Sequence, residues 1–522
     1  MILKRLDNNI LNLSIDIGKA LLSKKPSSPP PAEPPETSRA PAHFLTLFPS
    51  IMLPMFLAVV DQTIVAAALP TIAASLGNVE QISWVVVSYL VATTVAAPVY
   101  GRLGDLLGRR RLMFVALAIV IGASILCALA TSTVFLIFAR ALQGLGGGGL
   151  MTLSQALIGE TFSPRDRARY QGYLAAVAVT SSTFGPVAGG FLTEHLGWRS
   201  IFLMNIPIGL IAAALALRLP ARGGSGEPFR FDFLGLALFA LFVASVLALL
   251  QQGQPFDSGG GVLMMSLAAV SVLAVFLLVW RERRAPDPLL PIPLFRNPSI
   301  WRSDALAACH GAVLVSLMTF IPIYMRIVHG ASSAEIGLAV LPMTVGVGIG
   351  SMITGRVVSR TGRTAIFPSF GLVVVVLMLG LLGIFSPRLS LEGLSWMLGF
   401  TAVFMGTVMG VVQVTVQIAA GDRRLGMAAA TVQFSRSLGA ALGTAIVGTV
   451  LFAVLAAADA EVARLFGEIL QGGPEVLDTL TLPERIVVQK EIGDAFRAAF
   501  FTITGFAAAA TVLAWSIPLR RV

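Results

Sequence analysis

The sequence predicts an all-α integral membrane protein with 14 transmembrane helices: two six-helix pseudo-repeat bundles plus two helices inserted between them. Three observations carry this reading. Hydrophobic residues make up 56% of the 522 and charged residues only 12%, against roughly a quarter charged in soluble proteins. The apolar runs are about 18 to 25 residues long, the length a helix needs to cross a hydrocarbon core of roughly 30 Å. Spanning β-strands would be shorter and would alternate in polarity. Finally, Gly101-Arg-Leu-Gly-Asp-Leu-Leu-Gly-Arg109 is echoed by Gly355-Arg-Val-Val-Ser-Arg-Thr-Gly-Arg363 at an offset of 254, which also carries Gly185 onto Gly439 and Gly189 onto Gly443. The second copy has Ser359 where the first has Asp105, so the copies have diverged.

Residues 1–45 precede the first span as a cytoplasmic tail. Leu6, Ile10, Leu13, Ile17 and Leu21 recur at helical spacing among several lysines. That pattern fits either a weakly ordered tail or an amphipathic helix on the inner membrane surface. Residues 26–35 form a proline-rich, extended spacer. A first six-helix bundle occupies 46–218, with spans at 46–73, 82–100, 112–130, 134–157, 171–193 and 200–217. Two further spans follow within 233–280, at 233–251 and 262–280. The second six-helix bundle occupies 301–520, with spans at 303–325, 336–355, 365–385, 395–419, 432–456 and 498–519. The repeat aligns span 2 with span 10 and span 5 with span 13, which makes spans 7 and 8 the inserted pair. Between the last two spans, 457–497 reads as a long acidic outer loop with eight carboxylates against four basic residues. Such a loop is solvated by default and open to an extracytoplasmic partner.

The net charge of +10 reads as a topology signal and not as a nucleic-acid footprint. With the N-terminus inside, 28 of the 37 Lys and Arg fall on the inner side of these spans. This is the positive-inside bias of an inner or plasma membrane protein with both termini cytoplasmic and lipid around its belt. The N-terminal region lacks the uninterrupted apolar core of a cleavable signal peptide. Cys127 and Cys309 both fall within spans, which argues against a disulfide framework. Four scattered histidines and two isolated cysteines offer no metal-ligand spacing, and no Walker motif occurs. No metal, no cofactor and no enzymatic activity are expected.

Asp61 is the only charged residue between Arg39 and Glu80 and lies near the middle of span 1. A carboxylate at that depth costs about 2.5–3.5 kcal/mol on insertion scales and is usually functional. Desolvation favours the neutral acid, so Asp61 is a candidate proton carrier. The structural alternative is a residue that supports a break in the helix near Thr63 and Pro70. Arg140 is the only charge between Arg111 and Glu160, within span 4. Counted from the outer ends of their spans, the two differ in depth by roughly 6 Å. An ion pair is therefore open to them, either as a proton-coupling pair or as a static bond between helices.

Gly185-Pro-Val-Ala-Gly-Gly190 in span 5 suits close helix approach and bending. The glycine run at 146–149 in span 4 does the same; no Lys-Ser/Thr follows it, so it is not a phosphate loop. Trp84, Tyr89, Gln143, His310, Gln413 and Gln417 are candidates for lining a substrate cavity, with Gln155 and Arg436 beside them. Hydrogen bonding or packing between helices is the plain alternative for each.

Several of these stretches together resemble the major facilitator superfamily, specifically its fourteen-helix drug:proton antiporters. They are Val60-Asp-Gln-Thr-Ile-Val-Ala-Ala-Ala-Leu-Pro70, the 101–111 turn, Arg140-Ala-Leu-Gln-Gly144, the 185–190 stretch and Trp198-Arg-Ser-Ile-Phe-Leu-Met-Asn-Ile-Pro-Ile-Gly209. The resemblance implies proton-coupled efflux of small amphipathic compounds, such as drugs or antibiotics, by alternating access. It casts Gly101, Asp105, Gly108 and Arg109 as a conformational switch, Asp61 and Arg140 as the proton-coupling pair, and Gly185, Pro186, Gly189 and Gly190 as the antiporter-motif helix. The implied partners are protons, a small-molecule substrate and, as in some members of that family, a periplasmic adaptor protein. Asp304 sits near the membrane edge, so no second deep acid supports a two-acid cation site. Three alternatives stay open: an exporter of one native metabolite or siderophore, a lipid transporter, or a transport-inactive receptor.

Overall fold

A computed structural model describes residues 40–77, 81–221, 223, 231–251, 260–285, 292–472 and 482–521. The expected amphipathic tail and proline-rich spacer lie outside them. The helices are α1 (Ala40–Leu76), α2 (Trp84–Leu107), α3 (Arg109–Ala128), α4 (Thr133–Thr161), α5 (Pro164–Leu196) and α6 (Ser200–Ala216, interrupted at Met204). Then come α7 (Phe233–Gln251), α8 (Gly260–Glu282), α9 (Pro298–Val328), α10 (Ser333–Thr361), α11 (Ile366–Phe385) and α12 (Leu391–Ala420). The chain closes with α13 (Leu425–Ala458), α14 (Ala460–Gly472) and α15 (Leu482–Ser516). The one β contact among the described residues is a bridge between Arg363 and Arg521.

Twelve of these helices (α1 to α5, α8 to α13 and α15) are long and apolar enough to cross a membrane. The other two expected spans, α6 and α7, are shorter apolar helices of about 25–29 Å. Exposed Phe138, Val262, Met265, Leu338, Trp396 and Val512 face outward, as a lipid-facing surface requires.

Several helices outrun their apolar stretch. Gly101–Leu107 was expected in a loop but continues α2, and only Gly108 separates it from α3. Nothing from 101 to 107 breaks a helix; Gly108 does, at φ 95°, where a side chain would be strained. The second copy behaves alike, with α10 running to Thr361 and Gly362 at φ 66°. Helix α5 starts at Pro164, with the Ser163 side chain capping the Asp166 N–H.

The largest correction falls on 457–497. Residues 460–472 form the separate helix α14, and α15 begins at Leu482, sixteen residues before the expected span. Val462, Phe466 and Ile469 of α14, and Val488, Ile492 and Phe496 of α15, are buried in one core cluster with Leu451 and Leu455. The charged residues there are spaced so that an apolar stripe remains, and that stripe finds a partner.

The repeat is visible in the packing. Helix α2 packs on α4 as α10 packs on α12, and α2 meets α13 as α10 meets α5. Gly185 and Gly189 abut Thr63 and Ile64 of α1, while Gly439 and Gly443 abut Ala308 and Ala312 of α9. Helices α7 and α8 pack on each other, and α7 leans on α2 and α13, with the Phe239 ring 5.1 Å from that of Phe434.

Candidate functional site

Asp61 and Arg140 meet. Arg140 is fully buried and its Nη1 donates to Asp61 Oδ2 at 3.1 Å and to Gln143 Oε1 at 2.7 Å. Asp61 Oδ1 accepts from Gln143 Nε2 at 2.9 Å and from Asn205 Nδ2 at 2.6 Å. Ser124 Oγ accepts from both amides. The Tyr89 ring lies 4.1 Å beneath the guanidinium, and its hydroxyl donates to the Ala58 carbonyl at 3.0 Å. Five helices, α1 to α4 and α6, thus converge on one carboxylate. A buried ion pair offsets its desolvation only when further hydrogen bonds satisfy both ions, and here they do.

Tyr89 and Gln143, expected in a substrate cavity, therefore belong to this cluster. Asn205 and Ser124 were not anticipated. Asn205 had a readable signal, being the lone hydrogen-bonding side chain between Ser200 and Arg218; Ser124 had none.

A second network lies at the end of the bundle where α2 and α13 meet. Arg109 joins Asp105 and Glu160. Asp105 also accepts from the backbone N–H groups of Gly426 at 2.9 Å and Met427 at 3.2 Å, in the first turn of α13. A carboxylate there satisfies orphan donors and meets the positive end of the helix dipole. The approach requires glycine: a Cβ at Gly101 would stand 2.6 Å from the Gly426 carbonyl oxygen. The pseudo-equivalent Gly355 lies as close to Ala168 of α5, again 2.6 Å from a carbonyl oxygen. Both contacts bring helices of different repeat copies together and seal this face. Glu160 is the member of the network that sequence reading missed.

Between the two copies lies a cavity of about 570 Å³, open mouth included, with walls from α1, α4, α5, α9, α10, α12 and α13. His310, Gln413, Gln155 and Arg436 line it, as does Gln171. Gln417 sits just behind: its Nε2 and that of Gln171 each donate to the Gln155 carbonyl at 3.0 Å. Trp84 is exposed at the start of α2 and lies away from the cavity. In the 185–190 stretch, Gly185 and Gly189 abut α1 and Ala188 packs on the core cluster that includes Ile64; Pro186 is on the exposed side, and a side chain at Gly190 would meet open space. Asp304 is buried, and neither of its oxygens has a hydrogen-bond partner; Thr431 stands beside it but donates to the Ala428 carbonyl. No cluster of metal-ligating side chains occurs among the described residues.

Fold and sites together define a multi-pass helical membrane protein whose two alike-packed halves enclose a central cavity. The profile of the Major Facilitator Superfamily matches residues 51–444, and the chain belongs to that family. An uncharacterized MFS-type transporter of Mycobacterium tuberculosis is 36% identical over 406 residues, covering 77% of this chain but only 58% of that protein's length. The multidrug transporter protein MdtP of Bacillus subtilis is 31% identical over 411 residues, 78% of this chain and 75% of its own. Among solved structures, the human organic anion transporter MFSD10 (TETRAN) superposes with a TM-score of 0.60 at 16% identity, covering 92% of this chain and all of that one. The proton:xylose symporter XylE gives 0.61 at 13% identity, over 91% and 96%. At these identities the structural likeness is one of fold.

Proposed function

We propose that the chain is a proton-coupled exporter of small amphipathic compounds, working by alternating access with α6 and α7 also crossing the membrane. The observation that carries this reading is the buried Asp61–Arg140 pair, with Gln143 and Asn205 both on Oδ1. Protonating Asp61 removes the negative partner of a fully buried guanidinium. The cluster then loses its electrostatic balance, and the five helices it ties together favour another arrangement. Asp105 on the first turn of α13 is the latch of the sealed face, which is the cytoplasmic one if both termini are inside. The export direction draws on relatives such as MdtP, named a multidrug transporter, and on the 185–190 stretch against α1. Substrate would occupy the cavity lined by His310, Gln413 and Arg436, where a few polar groups converge in a largely apolar wall.

The test is substrate-triggered proton release in inverted vesicles carrying wild type or Asp61→Asn. Wild type should exchange, while Asp61→Asn should fold, bind substrate and fail to couple to the pH gradient. Undiminished gradient-driven export by Asp61→Asn would sink the carrier role.

A further inference from the structure

The cavity has one formal charge in its wall, and it is a cation. Arg436 enters from α13, and among the described residues no carboxylate lies within ion-pair distance of it. One of its N–H groups is used, Nη2 donating to Gln433 Oε1 at 3.1 Å. Gly311 lets α9 approach α13 closely at this residue: a Cβ there would stand 2.4 Å from the Arg436 carbonyl oxygen and 3.2 Å from its Cγ. The repeat offset of 254 places Ser182 at the equivalent position of α5, so the cation belongs to one half alone.

The polar groups around it are also short of partners. His310 uses Nε2 on the Met405 carbonyl at 3.0 Å, and its Nδ1 has no partner. Both ends of the Gln413 amide are unsatisfied, as is Gln155 Oε1. Buried polar groups left unpaired are costly, and a cluster of them in one cavity wall calls for a ligand that pairs them. Apart from Gln171 and Ser351 the remaining wall is apolar and adaptable, with Met55, Met405 and Met409.

We infer that the cavity selects amphipathic organic monoanions whose head group also carries an O–H or N–H donor. This rests on the cavity being the substrate site, as proposed above. The anionic head pairs with Arg436 and the Gln413 amide N–H. Its donor meets the lone pair of His310 Nδ1 or Gln155 Oε1, and its apolar body lies on the methionines. A cationic head finds no carboxylate in this wall.

Binding without a proton gradient separates this from the export reading. The probes are dansylglycine, its methyl ester and a dansylamide with a quaternary ammonium tail, read by tryptophan-to-dansyl energy transfer in nanodiscs. Wild type should bind the acid at least about tenfold more tightly than the ester or the ammonium compound. Arg436→Gln should lose about that tenfold for the acid and leave the ester within about twofold, while Arg436→Lys keeps the preference. Equal binding of acid and ester, no saturable binding of the acid, or a preference that survives Arg436→Gln would each overturn the inference. If Arg436→Gln fails to fold, the wild-type ratio and the Lys variant decide. Asp61→Asn should retain the acid preference; loss of exchange with that preference intact counts against the export reading alone.

Discussion

The two halves of the molecule pack alike and are charged differently. Each uses a pair of glycines four apart on a long helix to lie against its first helix, and each presses a second helix onto the other half at a glycine. The electrostatics do not repeat. In the first half the buried charges Asp61, Arg140, Asp105 and Arg109 are all paired. In the second half Ser359 replaces Asp105, Asp304 is buried without a hydrogen bond, and Arg436 stands in the cavity wall without a counter-ion. Shared packing gives both halves the same mechanical frame. On the function proposed above, this unequal charge would divide the work, with proton handling and the latch on one side and substrate recognition on the other.

That comparison breaks first at Arg140. Arg140→Ala leaves Asp61 buried with amide partners only and should destabilise the protein by about 3–5 kcal/mol, visible as a lowered unfolding temperature in detergent. If Asp61→Asn restores most of that loss in the double variant, the pair is confirmed as the source. The mechanical equivalence is tested by adding bulk at matched glycines. Gly185→Leu and Gly439→Leu each drive a side chain into the facing helix, against Thr63 of α1 and the Ala308 carbonyl of α9, and each should cost about 1–3 kcal/mol. A clearly smaller loss at one would show that the frame is not shared. The smallest effect is expected at Asp304, where no charge or hydrogen bond depends on the carboxylate. Asp304→Asn should shift stability by less than about 1 kcal/mol and leave proton exchange intact; loss of exchange would make it a second proton site.

Much of this was legible in the sequence because lipid punishes exceptions. Asp61 and Arg140 stood out as lone charges, and the repeat exposed both halves through a nine-residue echo. Helix ends were less legible, since hydropathy reports where the bilayer lies and not where a helix stops. The ends of α2 and α10, the start of α5 and the first sixteen residues of α15 all run through polar sequence. Site membership was read from residue type and so went astray where two polar environments coexist. Tyr89 and Gln143 looked like His310 and Gln413, yet they serve the buried pair. Asn205 and Glu160 gain their roles only from helices brought together across 144 and 51 residues of chain.

An arginine without a counter-ion in a central cavity also has an electrical consequence. A guanidinium keeps its charge in proteins, so Arg436 places a positive charge in the cavity wall. In the alternating-access scheme proposed above, the field acting on that charge would change when the cavity switches the side of the membrane it faces. A full elementary charge crossing the whole field corresponds to about 2.3 kcal/mol per 100 mV, and a partial crossing to a proportionate share. The empty carrier is then a voltage-sensitive device, while a carrier whose arginine is neutralised by an anion moves with little electrical work. Membrane potential would set the pace of the unloaded return step and leave the loaded step nearly untouched.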